Sequence, residues 1–312
     1  MLAAKWGNLK SDGKSFVNLD AEVVAPLRDF CSRRIDRSAI AWGAMLPGKS
    51  VGDMLTEAYS ELYGGIQLSD LPDSPQFAFN ATNLQTGRLV RMMKTRLADY
   101  TIGEILDPKV SLAQAVAASS AFPPVLSPVK INIDPTTWKD RKGTLHFGDP
   151  AFTTTLSLTD GGAYDNLGLE TVDTFDPVIV SDAGAPFGVE PEASSFWPAQ
   201  ALRALDIATD QARSLRKRLL HADCTASGRK YAYAGIDGNL ATYSATQQVL
   251  NADAALTATL ARMRTRLNPF NEEEQCHLIN WGWLMMDVAM RSHVVPDEPA
   301  PTVLPFPAFP LC

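Results

Sequence analysis

Apolar positions along the chain recur at helical spacing in long stretches and alternate in a few short ones. Met54, Leu55, Ala58, Tyr59 and Leu62 predict a helix over Asp53 to Tyr63, with Ser50 placed to cap it. Similar spacing predicts helices over Leu19 to Ser32, Ser111 to Ala121 (stopped by Pro123 and Pro124) and Ala254 to Leu267. A longer helix, Ala201 to His221, gathers Leu202, Leu205, Ala208, Ala212, Leu215 and Leu219 on one face, and Asn271 to His293 carries Leu278, Trp281, Leu284, Met285 and Val288 at core-like intervals. Strands are expected on both sides of the Gln85-Thr86-Gly87 turn, ending near Met92, and over 156 to 159 and Tyr231 to Ile236. A strand over Val125 to Ile133 is confined to a sheet edge by Pro128, while the apolar run 177 to 181 suits a buried parallel strand. Residues 134 to 154 read as irregular and exposed. The pattern predicts one large α/β domain over residues 1–295 and a Pro-rich tail over 296–312.

Composition narrows the class. Of 312 residues, 46% are hydrophobic and 20% charged, enough for a sizeable core. Acidic residues outnumber basic ones 35 to 28, which argues against nucleic acid as a partner. Cys31, Cys224, Cys276 and Cys312 are scattered without metal-like pairing and read as free thiols in a reducing compartment. No apolar run approaches the ~20 residues that cross a bilayer.

The most informative stretch is Leu156-Ser-Leu-Thr-Asp-Gly-Gly-Ala-Tyr-Asp-Asn166. An alternating strand delivers the Asp160 carboxylate at its end, and Gly161 and Gly162 allow positive φ angles and a tight turn. Asp165 and Asn166 are placed to hold that turn through side-chain bonds to backbone. An ordinary Asp-Gly-Gly turn is the competing reading of the same residues. Asp182, ending the 177 to 181 strand, is expected to border the same crevice.

Around this stretch stand other blocks in fixed order: Phe77-Ala-Phe-Asn-Ala-Thr-Asn-Leu-Gln-Thr-Gly87, Val116-Ala-Ala-Ser-Ser-Ala-Phe-Pro-Pro-Val125, Asn166-Leu-Gly-Leu-Glu170 and Val178-Ile-Val-Ser-Asp-Ala-Gly184. The ordered set resembles the patatin-like phospholipases, serine acyl hydrolases, over most of residues 1 to 295. The resemblance implies a three-layer α/β fold with a mostly parallel central sheet flanked by helices. It also implies hydrolysis of lipid acyl esters by a Ser-Asp dyad, with neither cofactor nor metal, in a protein that is cytoplasmic or peripheral to a membrane. Asp160 maps onto the dyad's base. The family's nucleophile sits in a Gly-x-Ser-x-Gly elbow and its oxyanion donors in a glycine-rich loop, and both are expected to precede Met1, since Met1-Leu-Ala-Ala-Lys-Trp-Gly7 resembles the helix after the elbow. On that expectation the N-terminal strands are missing and the chain as given lacks its nucleophile. A catalytically silent homologue that binds lipid or a protein partner is the alternative.

Two short patterns overlap at Gly43 to Gly52. Gly48-Lys-Ser-Val-Gly52 fits the elbow literally, making Ser50 a candidate nucleophile, but Pro47 disfavours the buried strand an elbow needs. Gly43 to Ser50 fits a P-loop for nucleotide, although Met45 and Leu46 are bulky where phosphate must approach backbone. His277 completes a triad order with Ser50 and Asp160 on sequence position alone. Arg213, Arg216, Lys217 and Arg218 read either as cations complementing the end of a helix dipole or as a lipid-headgroup patch.

Overall fold

The computed structural model describes residues 1–33, 50–123, 126–245, 248–264 and 268–312. It divides into two compact units, one built on Met1–Thr171 and the other on Val172–Arg266 and Phe270–Cys312. The P-loop pattern falls almost wholly outside the described residues, as do Gly48 and Lys49 of the elbow pattern.

The first unit is organised by strands β1 (Ala78–Asn83), β2 (Arg88–Met93), β3 (Arg96–Asp99), β4 (Gly103–Leu106), β5 (Val129–Asn132), β6 (Trp138–Lys139) and β7 (Thr155–Asp160). They form one sheet in the order β5-β7-β1-β2-β3-β4-β6, and each neighbouring pair is antiparallel. This corrects the expectation of a mostly parallel sheet. The reason is local: only a few residues separate β1 from β2, β2 from β3 and β3 from β4, and such short connections can close antiparallel pairs but cannot make a parallel crossover. Gly87, at φ +67, turns the first hairpin. Asp99 is fully buried and ties the hairpins together: its carboxylate accepts from the Thr101 N–H and hydroxyl at 2.9 and 2.7 Å, from Asn83 Nδ2 at 3.0 Å and from the Thr86 hydroxyl at 2.7 Å.

Two helices pack against this sheet. Val51–Tyr63 buries Leu55, Tyr59 and Tyr63, and starts two residues before the expected position. Leu112–Ser120 buries Ala113, Ala115, Ala117 and Ala118, small side chains that let its backbone lie close to β1 and β7. β5 is an edge strand, as Pro128 required. Residues 134 to 154 are largely irregular and exposed, as expected, apart from short ordered pieces. Trp138 in β6 is buried and donates to Thr153 O at 2.9 Å, which anchors the short helix Pro150–Thr153.

The second unit holds β8 (Val178–Asp182) and β9 (Tyr231–Gly235), a parallel pair in which Val178 faces Tyr231 and Asp182 faces Gly235. The expected parallel strand is present, but it alternates: Val178 and Val180 are buried and Ile179 and Ser181 exposed. The helix Trp197–Ser227 connects the two strands. It is longer than the sequence pattern suggested, and the face carrying Leu202, Leu205, Leu215 and Leu219 is exposed rather than packed. The helix Glu272–His293 supplies the core of this unit, burying Trp281, Leu284, Met285 and Val288 as expected. Residues 296–312 contain neither helix nor strand, yet they are docked: Asn280 donates to Phe306 O and Phe309 O and accepts from Phe306 N, and Leu311 is fully buried.

Candidate active site

Asp160 ends β7 in register with Ala81 of β1, and the strand end is clamped from the side. Asp160 N donates to Ala121 O at 3.0 Å, Gly161 N to Ser119 O at 3.3 Å and the Thr159 hydroxyl to Ala121 O at 2.8 Å. The Thr82 hydroxyl on β1 donates to Asp160 O at 2.9 Å. The small-residue helix and its Ala-Phe-Pro turn therefore serve to fix the backbone that carries this carboxylate.

The two glycines play a different part from the one expected. Neither has positive φ; Gly161 lies at φ −60, ψ −28, and a helical turn runs over Gly162–Asp165. Space, not backbone sign, demands glycine. A Cβ on Gly161 would stand 2.6 Å from Asn80 O, and one on Gly162 would stand 2.6 Å from Asn166 Oδ1 and 2.7 Å from Asp160 Oδ1. The positive φ of this loop belongs to Gly168, at +65.

The Asp160 carboxylate is partly buried and accepts from Gly162 N at 2.6 Å. Among the described residues this is its sole hydrogen-bond donor. Burial raises its pKa, and the Gly162 N–H only partly counters that rise, leaving a carboxylate more basic than an ordinary one. Asp165 is buried and turns downstream, accepting from Leu167 N at 3.3 Å and Glu170 N at 3.0 Å, so it orders the segment after the turn. Asn166 approaches the turn through its Oδ1 beside Gly162.

Tyr59, which pattern alone assigned to packing, and Ser120 of the small-residue block belong here as well. The Tyr59 hydroxyl lies 3.1 Å from Ser120 Oγ, which in turn donates to Val116 O at 2.8 Å. Burial raises the Tyr59 pKa most; the Ser120 bond lowers it, and the charges of Cys31 and Asp160 raise it further. Tyr59 thus lies within electrostatic reach of the carboxylate. Its helical spacing marked it as apolar lining, and the one signal of another role was a hydroxyl on an otherwise apolar face.

Ser50 is the N-cap of Val51–Tyr63. Its hydroxyl accepts from Asp53 N at 3.1 Å and its backbone N–H donates to Asp53 Oδ2 at 2.8 Å, a complete capping box, and the hydroxyl donates to the same Oδ2 at 2.8 Å. His277 belongs to the second unit, edge-on to Phe309. Asp182 also lies there, and its partners are Tyr233 Oη at 2.6 Å, Lys217 Nζ at 3.0 Å, Gly184 N at 3.0 Å and an Arg213 nitrogen at 3.7 Å. Arg213 and Lys217 are thereby committed to a carboxylate, and the helix runs on to Ser227, so they do not stand in its last turn.

A cavity of about 350 Å³ opens in the second unit between Ile236, Asp237, Arg262 and Trp281, and no residue of the Asp-Gly-Gly turn lines it. Among the described residues no cluster of His, Cys, Asp and Glu is arranged to hold a metal ion, and no helix is long and apolar enough to cross a membrane. No curated protein matches the chain. Residues 2–173, which contain the sheet, the small-residue helix and the Asp160 turn, match the model of the patatin-like phospholipases. With that match covering more than half its length, the chain belongs to the patatin-like phospholipase family.

Proposed function

We propose that this protein is a lipid acyl ester hydrolase of the Ser-Asp type in which Asp160 is the general base. The observation that carries the reading is the state of the Asp160 carboxylate: fixed at a strand end, more basic than usual through burial, and with one N–H as its only donor among the described residues. A serine hydroxyl is a weak nucleophile until a base within hydrogen-bond reach takes its proton. A carboxylate whose charge is poorly solvated accepts that proton more readily. The leaving alcohol then recovers it, so two groups serve both halves of the reaction and no metal enters the scheme. The backbone carbonyls of Ser119 and Ala121 hold the strand end and position the base.

Ser50 does not serve Asp160 in this arrangement: its hydroxyl accepts from Asp53 N as a helix cap, and among the described residues the Asp160 carboxylate accepts from Gly162 N and not from Ser50. The reading therefore takes the nucleophile to be the serine of the family's elbow. The test uses a short-chain p-nitrophenyl ester and phosphatidylcholine vesicles. Asp160→Asn should lower turnover by roughly 10³-fold or more with the unfolding temperature preserved. Undiminished turnover in Asp160→Asn would remove Asp160 from the mechanism. Turnover by residues 1–312 that disappears in Ser50→Ala would make Ser50 the nucleophile.

A further inference from the structure

The Trp197–Ser227 helix shows two unequal faces. One is tethered to its own unit by Arg213 and Lys217 on Asp182, by Arg213 on Ala185 O, and by buried Leu220 and Cys224. The other carries Ala201, Leu205, Ala208, Ala212, Leu215 and Leu219, all exposed, the three leucines at 47%, 51% and 65%. Their spacing alternates four and three residues and continues through Ala222 and Ala226. That is the heptad repeat of a helix seam that packs against another helix, here about 37 Å long at 1.5 Å per residue. The residues that tether the helix, Arg213, Lys217 and Cys224 among them, fall on the side away from it.

We infer that this seam pairs antiparallel with the same seam of a second copy of the chain. Size complementarity selects both the occupant and the direction. An antiparallel alignment centred between Arg213 and Ser214 sets Leu205 against the partner's Ala222, Ala212 against the partner's Leu215, and Leu219 against the partner's Ala208. Every leucine then meets an alanine, and the layers fill evenly. A parallel alignment stacks leucine on leucine and alanine on alanine, alternating overfull with empty layers. Beside the antiparallel seam Arg216 faces the partner's Thr209 and Arg218 the partner's Gln211, so no like charges are opposed. A lipid surface is a poorer occupant, because membrane binding scales with buried apolar area and more than half of the seam is alanine. Small residues instead let two helix backbones approach closely. The seam would bury on the order of 1,000 Å² in total, the lower end for a specific complex, so the dimer should depend on concentration.

The experiment is sedimentation velocity on the full chain between roughly 1 and 100 μM, where a dimer of this size should appear. The expected result is a shift from monomer to dimer across that range, abolished in Leu215→Glu/Leu219→Glu. Both side chains are exposed, so this variant should keep the wild-type melting temperature at concentrations where the wild type is monomeric, which checks its fold. In a Cys312→Ser background, a mixture of Leu205→Cys and Ala222→Cys chains should cross-link through a short bis-maleimide far more than either alone. A monomer at every concentration, a dimer unaffected by the double glutamate variant, or cross-linking of Leu205→Cys to itself would each overturn the inference. So would a seam variant that loses binding to anionic vesicles while the wild type shows no dimer.

Discussion

Substituting alanine at Gly161 and at Gly162 separates two kinds of crowding at adjacent positions. At Gly161 the added methyl meets Asn80 O at 2.6 Å and Asn80 C at 3.1 Å, which are backbone atoms of β1. Relief requires β7 to move from β1 where Asp160 pairs with Ala81, and the bond from Asp160 N to Ala121 O shifts with it. Overpacking that displaces backbone costs about 1–3 kcal/mol, roughly 3–10 °C in melting temperature for a domain of this size. At Gly162 the close atoms are Asn166 Oδ1 and Asp160 Oδ1, the ends of side chains that can rotate. Losing the bond from Gly162 N costs about 1 kcal/mol, and replacing glycine in a helical turn returns ~0.5–1 kcal/mol. Gly162→Ala should therefore melt within about 2 °C of wild type while swinging the Asp160 carboxylate away from its present position. Scanning calorimetry of the two variants, each against wild type, measures the difference. Equal destabilisation by both, or a larger loss at Gly162, would refute the assignment of backbone crowding to Gly161 and side-chain crowding to Gly162.

Asp160 has a raised pKa, so its protonated form is the one the fold favours: that stability is present below the unfolded carboxylate pKa and lost as pH rises through the folded value. Asp160→Asn should accordingly melt at or above wild type at pH 7, with its advantage shrinking toward pH 4, in paired thermal melts; a clear loss at pH 7 would contradict a burial-driven shift. Asp182 is raised by burial, but bonds from Tyr233, Lys217 and the Gly184 N–H outweigh burial and leave it lowered, so its contribution is present above the unfolded pKa and lost as pH falls through the folded one. Asp182→Ala strands the nearly buried Arg213 and the part-exposed Lys217 and should cost about 2–4 kcal/mol at pH 7, with a smaller difference in acid, measured by urea titration. Asn280→Ala removes three bonds to residues 306–309 and should cost about 2–4 kcal/mol, and limited proteolysis should then release the segment after Pro299 sooner than in wild type.

Much of the local structure was legible in the residues themselves. Ser50, Ser111 and Asn271 each stand where a cap is needed, and the helices they begin are present because a cap and its partner three residues on are local chemistry. The Gln85-Thr86-Gly87 hairpin, the edge position of β5 and the placing of Asp160 at a strand end before a turn were readable for the same reason. The ordered motif blocks carried the family. The antiparallel order of β1 to β4 follows from connections of a few residues, but β7 pairs with β1 across a long separation, and a strand's apolar alternation is the same whether its neighbour runs with it or against it.

What the sequence determined by itself was therefore the first hairpin, the main helices and the carboxylate at the end of β7, whereas β3, β4 and β6 were not read from it. Tertiary structure decided what lies beside them. The glycines after Asp160 follow from the distance to Asn80 O and Asn166, which no local φ preference reveals. The buried Asp99 with its four donors, and Tyr59 near Asp160, depend on residues far apart in the chain meeting across packed elements. The Trp197–Ser227 helix makes the point most directly. Periodicity marks an apolar face, but only packing decides whether that face is buried, and here Asp182 draws Arg213 and Lys217 inward while the leucines stay outside.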